Sequence, residues 1–408
     1  MRMSPGSARP SNWPSLSGPF EYTRKMSALD RLFPNKFCVN LQRRPDRWQK
    51  MLHQFELHDV RNVIRHDAID SLSVKPPATW PHCAGAHGCL MSHIKIIREA
   101  HESGLPSVLI LEDDVVFHDD FQARFEDCAE QVPDDWDAIF LGGLHLKDPA
   151  PVSPGMARLT DSVSTFAYGL RKSSYVAILR EAETQTWPID HWTRAMQSDF
   201  RFYCCIPHLA WVAEDYSDII NSGVNYWWLK DGIAMNGESI RKVLGQTTVF
   251  LRVPDADWCA QNPEIVQCVT YCYRVLNLRV QFLPGSQADA ATIGGLLEPG
   301  DEYVVVADAD VYPFVWEFKA SLLKCQSFDR VLPILRAFPL NVEDTRLVIR
   351  TLIRDVDTLR YEPVEARYDR AGSGQPEFCI YSRAGLLRPA DREPATFYSP
   401  SRLVRLHP

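Results

Sequence analysis

The stretch VLILEDDVVFHDD, residues 108–120, runs four aliphatic residues directly into Glu112, Asp113 and Asp114, and then adds Asp119 and Asp120. An apolar run of this kind suits a strand covered on both faces, and such strands lie inside parallel α/β sheets. Its carboxyl end delivers acids to the edge where open α/β sheets bind ligands. Two carboxylates ~4 Å apart repel by about 1 kcal/mol in water, and several-fold more in a partly dry cleft. They take up protons or share a cation. Oxygen-only donors suit Mg2+ or Mn2+, which bridge carboxylates to a substrate phosphate. Asp119 and Asp120 read instead as the cap of a helix, DDFQARFEDCAEQV.

The flanking segments alternate between strand and helix patterns. KFCVNLQRRPDRWQKMLHQF predicts a strand over 36–41 and a helix with Pro45 in its first turn. VRNVIRHDAID reads as a second strand. GAHGCLMSHIKIIREAHESG reads as a Gly-rich turn and a helix, with Leu90, Ile94 and Ile97 at helical spacing. WDAIFLGG is a further strand, and TFAYGLRKSSYVAILREAE gives a strand, a turn and a helix. This alternation predicts an α/β domain with a mostly parallel sheet.

After NYWWLKDGIAMNGESIRKVLG (225–245) the order starts again with TTVFLRV, NPEIVQCVTYCYRVLN, LRVQFLPG and DEYVVVADADVYP. The last of these sets Asp308 and Asp310 behind an apolar strand. The expected organisation is a disordered lead over 1–33, a catalytic domain over 34–245 and a smaller α/β domain of related architecture over 246–408. The second acid pair predicts either a second site of the same kind or a decayed copy that only packs and shapes a groove. Arg330, Arg336, Arg346, Arg350 and Arg354 read as solvated helix faces.

Bulk properties narrow the function. With 408 residues, 45% hydrophobic and 24% charged, the chain reads as a globular protein of two domains. A net charge of −8 argues against a broad nucleic-acid surface. The longest apolar runs are far too short to cross a bilayer, and residues 1–30 show no signal-peptide pattern. Eleven scattered cysteines, an odd number, fit free thiols in a reducing, cytoplasmic setting. Cys268 and Cys272 share a helix face and read as core residues.

Four segments in order carry a family resemblance: VNLQRRPDRWQKM (39–51), GAHGCLMSHIKIIREA (85–100), VLILEDDVVF (108–117), and FAYGLRKSSYVAILRE (166–181) with PIDHW (188–192). SDI at 217–219 closes the set. Over residues 34–225 the chain resembles glycosyltransferase family 25, which includes lipooligosaccharide sugar transferases and collagen-modifying galactosyltransferases. The resemblance implies a GT-A type (Rossmann-like) domain that moves a hexose, galactose or glucose, from a UDP-sugar to a glycan, lipid-linked or protein hydroxyl with inversion. It implies Glu112 and Asp114 as metal ligands for Mn2+ or Mg2+, with Asp113 between them. It places Asn40 and Leu41 near the base or ribose, and Arg43 and Arg47 near the phosphates, where a guanidinium forks two donors. Gly85 and Gly88 permit close backbone approach, and Ser92 and His93 lie in the following helix. The chain departs from the family at His87, where Glu is usual, and at Phe166, where His is frequent.

Sugar transfer requires a base for the acceptor hydroxyl. Asp190, between Trp187 and Trp192, is the candidate, with Asp218 behind it. Two other readings use the same residues. One is a non-catalytic nucleotide-sugar or carbohydrate-binding protein. The other is a metal-dependent nucleotidyl- or phosphotransferase.

Overall fold

In the computed structural model the described residues are 26–219, 222–224, 226–255, 257–313, 315–333, 337–339, 378–387, 396–399 and 403–405. Residues 1–25 of the expected lead lie outside them, as do Arg336, Arg346, Arg350 and Arg354.

The strand Ser107–Glu112 is buried along its length except at Glu112. Its side chains alternate between two cores. Leu109 and Leu111 join a cluster with Met51, Phe117 and Phe125. Val108 and Ile110 join one with Leu90, Ile94 and Tyr168 on the opposite face. Fully burying side chains of this size contributes about 1.5–3 kcal/mol each, so this strand anchors both layers at once.

Around it stands an eight-stranded sheet in the order Val63–Asp67, Lys36–Asn40, Ser107–Glu112, Ala167–Arg171, Ala138–Phe140, Phe202–Cys205, Met156–Arg158, Ala150–Ser153. The first three strands are parallel. Ala167–Arg171 runs against both of its neighbours, and Met156–Arg158 runs against Phe202–Cys205. The sheet is therefore mixed rather than mostly parallel. Between Phe140 and Ala167 the chain passes through four short strands and no helix, whereas a parallel return needs a crossover, usually a helix.

The second sheet repeats the plan. Its order is Arg279–Pro284, Thr247–Val253, Tyr303–Asp308, Phe378–Ser382, Arg330–Pro333, Thr396–Ser399. Three parallel strands again meet a reversed one, and the two strands beyond it are again parallel to each other. Helices Pro45–Leu57 and Pro263–Arg274, each opened by a proline, occupy matching crossovers. Short strands Val115–Phe117 and Val311–Pro313 follow the two acidic strand ends. The architecture is thus duplicated, as the acid-tipped strands suggest, although the two halves share little local sequence. Arg330 begins a strand and donates to the Thr396 hydroxyl at 2.7 Å, so it does not lie on a helix face.

The changeover between cores falls after Met235, which packs in the first, and before Val243, which packs in the second. Lys319, on the second unit's helix Val315–Lys324, reaches back across it. Its buried ammonium donates to the Met235 carbonyl at 2.9 Å and to Asn236 Oδ1 at 2.7 Å.

Candidate active site

A cleft opens where the parallel strands end. Leu41, Arg43, Arg47, Asp70, Cys89, Ser92, His93, Glu112, Asp113, Asp114 and Asp218 line it, and it holds about 90 Å³ of free space. Two glycines set the helix beside it against the neighbouring loops. A Cβ on Gly88 would stand 2.5 Å from the Ile69 carbonyl, and one on Gly85 2.7 Å from Ile219 Cα. The helix Ala84–Glu102 therefore packs against both loops by backbone contact.

The three consecutive acids have different surroundings. Asp113, 8% exposed, accepts from Asn40 Nδ2 at 2.6 Å and from Arg47 Nη1 at 2.7 Å. Arg47 lies one turn inside the helix Pro45–Leu57, donates from Nη2 to the Tyr216 carbonyl at 2.9 Å, and has Asp114 Oδ2 at 3.4 Å. Asp114 Oδ1 is buried with no hydrogen-bond partner. Glu112 faces the cleft with 24% of its side chain exposed, 3.6 Å from His93 Nε2. Burial pushes the Glu112 carboxyl up to about 8, helped by the charges of Asp114, Asp113 and Asp190. Burial also raises Asp114, to about 6, against the pull of Arg47. Arg47 is thus shared, at 2.7 Å from Asp113 and 3.4 Å from Asp114, so one guanidinium serves three acids and surplus negative charge remains at Glu112 and Asp114. Their oxygen donors and the bare Asp114 Oδ1 fit a hard divalent cation.

The basic residues are engaged with aspartates. Arg43 bridges Asp70 at 2.8 Å and Asp218 at 2.6 Å. Arg44 pairs with Asp46 at 2.8 Å and with Asp218. Burial works against the Asp218 carboxylate, yet hydrogen bonds from Arg43 and Arg44 hold it below the usual carboxylate range. Asp215 accepts from Lys50 at 2.8 Å and has Arg47 Nε at 3.6 Å. The hairpin Asp215–Ser217 with Ser222–Val224 is tied to the strand Lys36–Asn40 and its following helix by these pairs.

Asn40 and Gly88 do not line the cleft; Asn40 supports Asp113 from behind. Ser92 spends its hydroxyl inside the fold, accepting from Ile69 N at 2.8 Å and donating to the Gly88 carbonyl at 2.7 Å. His93 is fully buried, and desolvation lowers its imidazole to about 3. His87 turns to Gln185 Oε1 at 2.9 Å and to the Trp80 ring, and Phe166 is a core residue. Asp190 lies in the first turn of the helix Ile189–Met196, with the His191 amide donating to its Oδ1 at 2.9 Å. Pro188, not Asp190, holds the cap position. Trp187 stacks on His191 beside it, rings 5.5 Å apart and 6° from parallel. Asp120 takes the cap position of Phe121–Ala129 but makes no side-chain cap bond.

Sequence reasoning passed over Asp70, Asp215 and Cys89. The first two lie far along the chain from the arginines they neutralise. Cys89 precedes His93 by four residues on one helix, a spacing that places both on one face and was open to reading.

In the second unit Asp308 pairs in register with Arg252, whose Nη2 lies 2.7 Å from it. The matching register partner of Glu112 is Val39. A guanidinium thus neutralises the second strand end where the first has an aliphatic side chain.

Two outcomes follow. Replacing Arg47 by Ala leaves the buried Asp113 carboxylate without its ion-pair partner and lowers unfolding free energy by ~3–5 kcal/mol, read from denaturant titration. Glu112 and Asp114 bind protons to higher pH folded than unfolded. Their stabilising contribution is complete below about pH 4 and is lost as pH rises through about 6 and 8. Mn2+ added to the protein therefore raises Tm more at pH 8 than at pH 5, and the doubly amidated variant Glu112→Gln/Asp114→Asn loses that pH dependence.

The family model described as glycosyltransferase family 25 (LPS biosynthesis protein) matches residues 33–148. The chain is 30% identical over 194 residues to human inactive glycosyltransferase 25 family member 3, covering 42% of this chain and 30% of that protein. It is 26% identical over 171 residues to human procollagen galactosyltransferase 2, covering 35% and 27%. It is 27% identical over 170 residues to procollagen galactosyltransferase 1 of Danio rerio, covering 37% and 28%. The chain thus spans about 30% of the length of the curated relatives it matches. Mouse xyloside xylosyltransferase 1 aligns in structure at 12% identity over 43% of this chain and 75% of that one, with a TM-score of 0.25, a likeness that carries no argument. No described helix is long and apolar enough to cross a membrane. Over residues 33–148 the chain is thus similar to glycosyltransferase family 25.

Proposed function

We propose that the cleft at Glu112–Asp114 transfers a hexose from a UDP-sugar to an acceptor hydroxyl with the help of Mn2+ or Mg2+. The observation that supports this is the surplus negative charge of Glu112 and Asp114 at the cleft, within the stretch that matches the family 25 model. Glu112 and Asp114 would hold the metal, which supplies Lewis-acid neutralisation of the leaving diphosphate. Asp113 and Arg47 hold the strand end in place beneath them. Arg43, exposed at the cleft mouth, exchanges Asp218 or Asp70 for a phosphate when the donor enters. Leu41 offers an apolar edge to the nucleoside. Asp190 takes the acceptor proton, with the Trp187–His191 stack as a platform for an acceptor sugar. The GT-A type and inversion belong to this reading. The acceptor class, glycan, lipid-linked or protein hydroxyl, extends it. A reducing, cytoplasmic setting accords with all eleven cysteines being free.

One observation favours a non-catalytic sugar-nucleotide-binding role. His87 stands where the family usually carries Glu, and it turns to Gln185 and the Trp80 ring rather than to the cleft. UDP release from UDP-galactose and UDP-glucose with Mn2+ separates the two. Binding without release supports the second, and release of pyrophosphate in a nucleoside triphosphate assay points to nucleotidyl transfer.

Asp114→Asn is expected to lower UDP release by about 100-fold or more while Tm changes by a few degrees. Unaltered release in excess EDTA removes the metal from the reading. Asp190→Asn is expected to lower turnover with donor affinity intact, and a collapse of UDP-sugar binding in calorimetry assigns Asp190 to the donor side.

A further inference from the structure

We propose that Cys89, His93 and Glu112 form a binding site for Zn2+ at the floor of the cleft, distinct in its donors from the Glu112–Asp114 pair. Cys89 and His93 project from one face of the helix Ala84–Glu102, a turn apart, toward the end of the strand Ser107–Glu112. One ligand atom from each of the three lies within 4.8 Å of the others. His93 Nε2 and Glu112 Oε1 are 3.6 Å apart, close to the ~3.3 Å that two donors span across a tetrahedral ion with bonds of about 2 Å.

The imidazole supplies a second, independent observation. His93 is 0% exposed, and its Nε2 has no hydrogen-bond partner. Its Nδ1 is held by the buried Tyr168 hydroxyl at 2.9 Å, with the two rings stacked. When Nδ1 donates to the tyrosine oxygen, Nε2 presents a bare lone pair toward Glu112. In the other tautomer Nε2 presents a proton that no acceptor reaches within hydrogen-bonding distance. Either state leaves a buried polar atom unsatisfied, which is costly. A cation at Nε2 resolves it, and an imidazole fixed through its far nitrogen is the usual setting of a metal-bound histidine.

The donor set selects the metal. A thiolate, an imidazole and a carboxylate suit Zn2+, whereas Mg2+ and Mn2+ prefer all-oxygen shells. Glu112 opens onto the cleft, so the fourth position faces water or a ligand. Coordination breaks the Cys89 S–H bond and forms S–Zn, and the proton leaves to solvent. Because Glu112 is common to both sites, zinc withdraws it from the hard-cation pair and inhibits any Mn2+-dependent activity of the cleft.

A second cluster among the described residues, His145, Cys204 and His208, converges as tightly. There each imidazole nitrogen already has a partner. Ser162 Oγ is 2.8 Å from His145 Nδ1, the two Nε2 atoms are 2.8 Å apart, and His208 Nδ1 donates to the Leu229 carbonyl at 2.6 Å. A hydrogen-bond chain accounts for it without an ion.

The test uses the metal-stripped full chain titrated with Co2+, followed by absorbance. One equivalent is expected to produce a thiolate-to-cobalt charge-transfer band with the intense d–d bands of a four-coordinate ion. Cys89→Ser abolishes the charge-transfer band and Cys204→Ser leaves it. Glu112→Gln, partly exposed and of equal size, lowers the cobalt affinity read from the charge-transfer band at least ~10-fold, whereas Asp114→Asn leaves that band, and this pair carries the test if Cys89→Ser fails to fold. Three results overturn the proposal: no stoichiometric cobalt uptake, a band that follows Cys204 instead of Cys89, or unchanged cobalt affinity in folded Glu112→Gln. None of these readouts involves sugar transfer, so this site and the transferase reading stand or fall separately.

Discussion

The buried contact between Arg47 and Asp113 is the constraint on which the site depends. One guanidinium joins the first turn of the helix Pro45–Leu57, the end of the strand Ser107–Glu112, and the hairpin at Tyr216. Removing Arg47 leaves the buried Asp113 carboxylate with the Asn40 amide and no ion-pair partner among the described residues. The pair also divides the labour among three consecutive acids. Asp113 is neutralised inside the protein, so Glu112 and Asp114 carry the surplus negative charge to the cleft.

The duplicated sheet shows the same architecture with a different electrostatic solution. Both halves build three parallel strands against a reversed one and end the third strand in acids. In the first half the neighbouring register position is Val39, and the acid there stays unneutralised by its strand partner. In the second it is Arg252, bound to Asp308. A single position beside the strand end thus decides how much negative charge the turn presents. The lysine bond from Lys319 to Met235 and Asn236 joins the halves through backbone and amide oxygens rather than through either acid cluster.

Much of the fold was legible because its signals are local. Apolar runs ending in acids mark the two third strands, and prolines mark the starts of the two crossover helices. The reversal of Ala167–Arg171 was not legible, since AYGLR is equally apolar in either direction and only its pairing sets its sense. Of the site, the cluster Glu112–Asp114 stood out by composition and spacing, and the arginines at 43 and 47 through the family resemblance. Asp215 did not, because it lies far along the chain from Lys50 and Arg47, and Asp218, read as a second candidate base, instead holds Arg43 and Arg44.

By itself the amino-acid sequence determined that this protein builds α/β units whose buried strands end in carboxylates, since hydrophobic periodicity and charge are properties of neighbouring residues. Tertiary structure alone decided which acid is neutralised, which arginine is engaged, and that Cys89, His93 and Glu112 converge. Those outcomes depend on distances between segments remote in the chain, and the energy of a charge or an unpaired nitrogen is set by what folding places beside it.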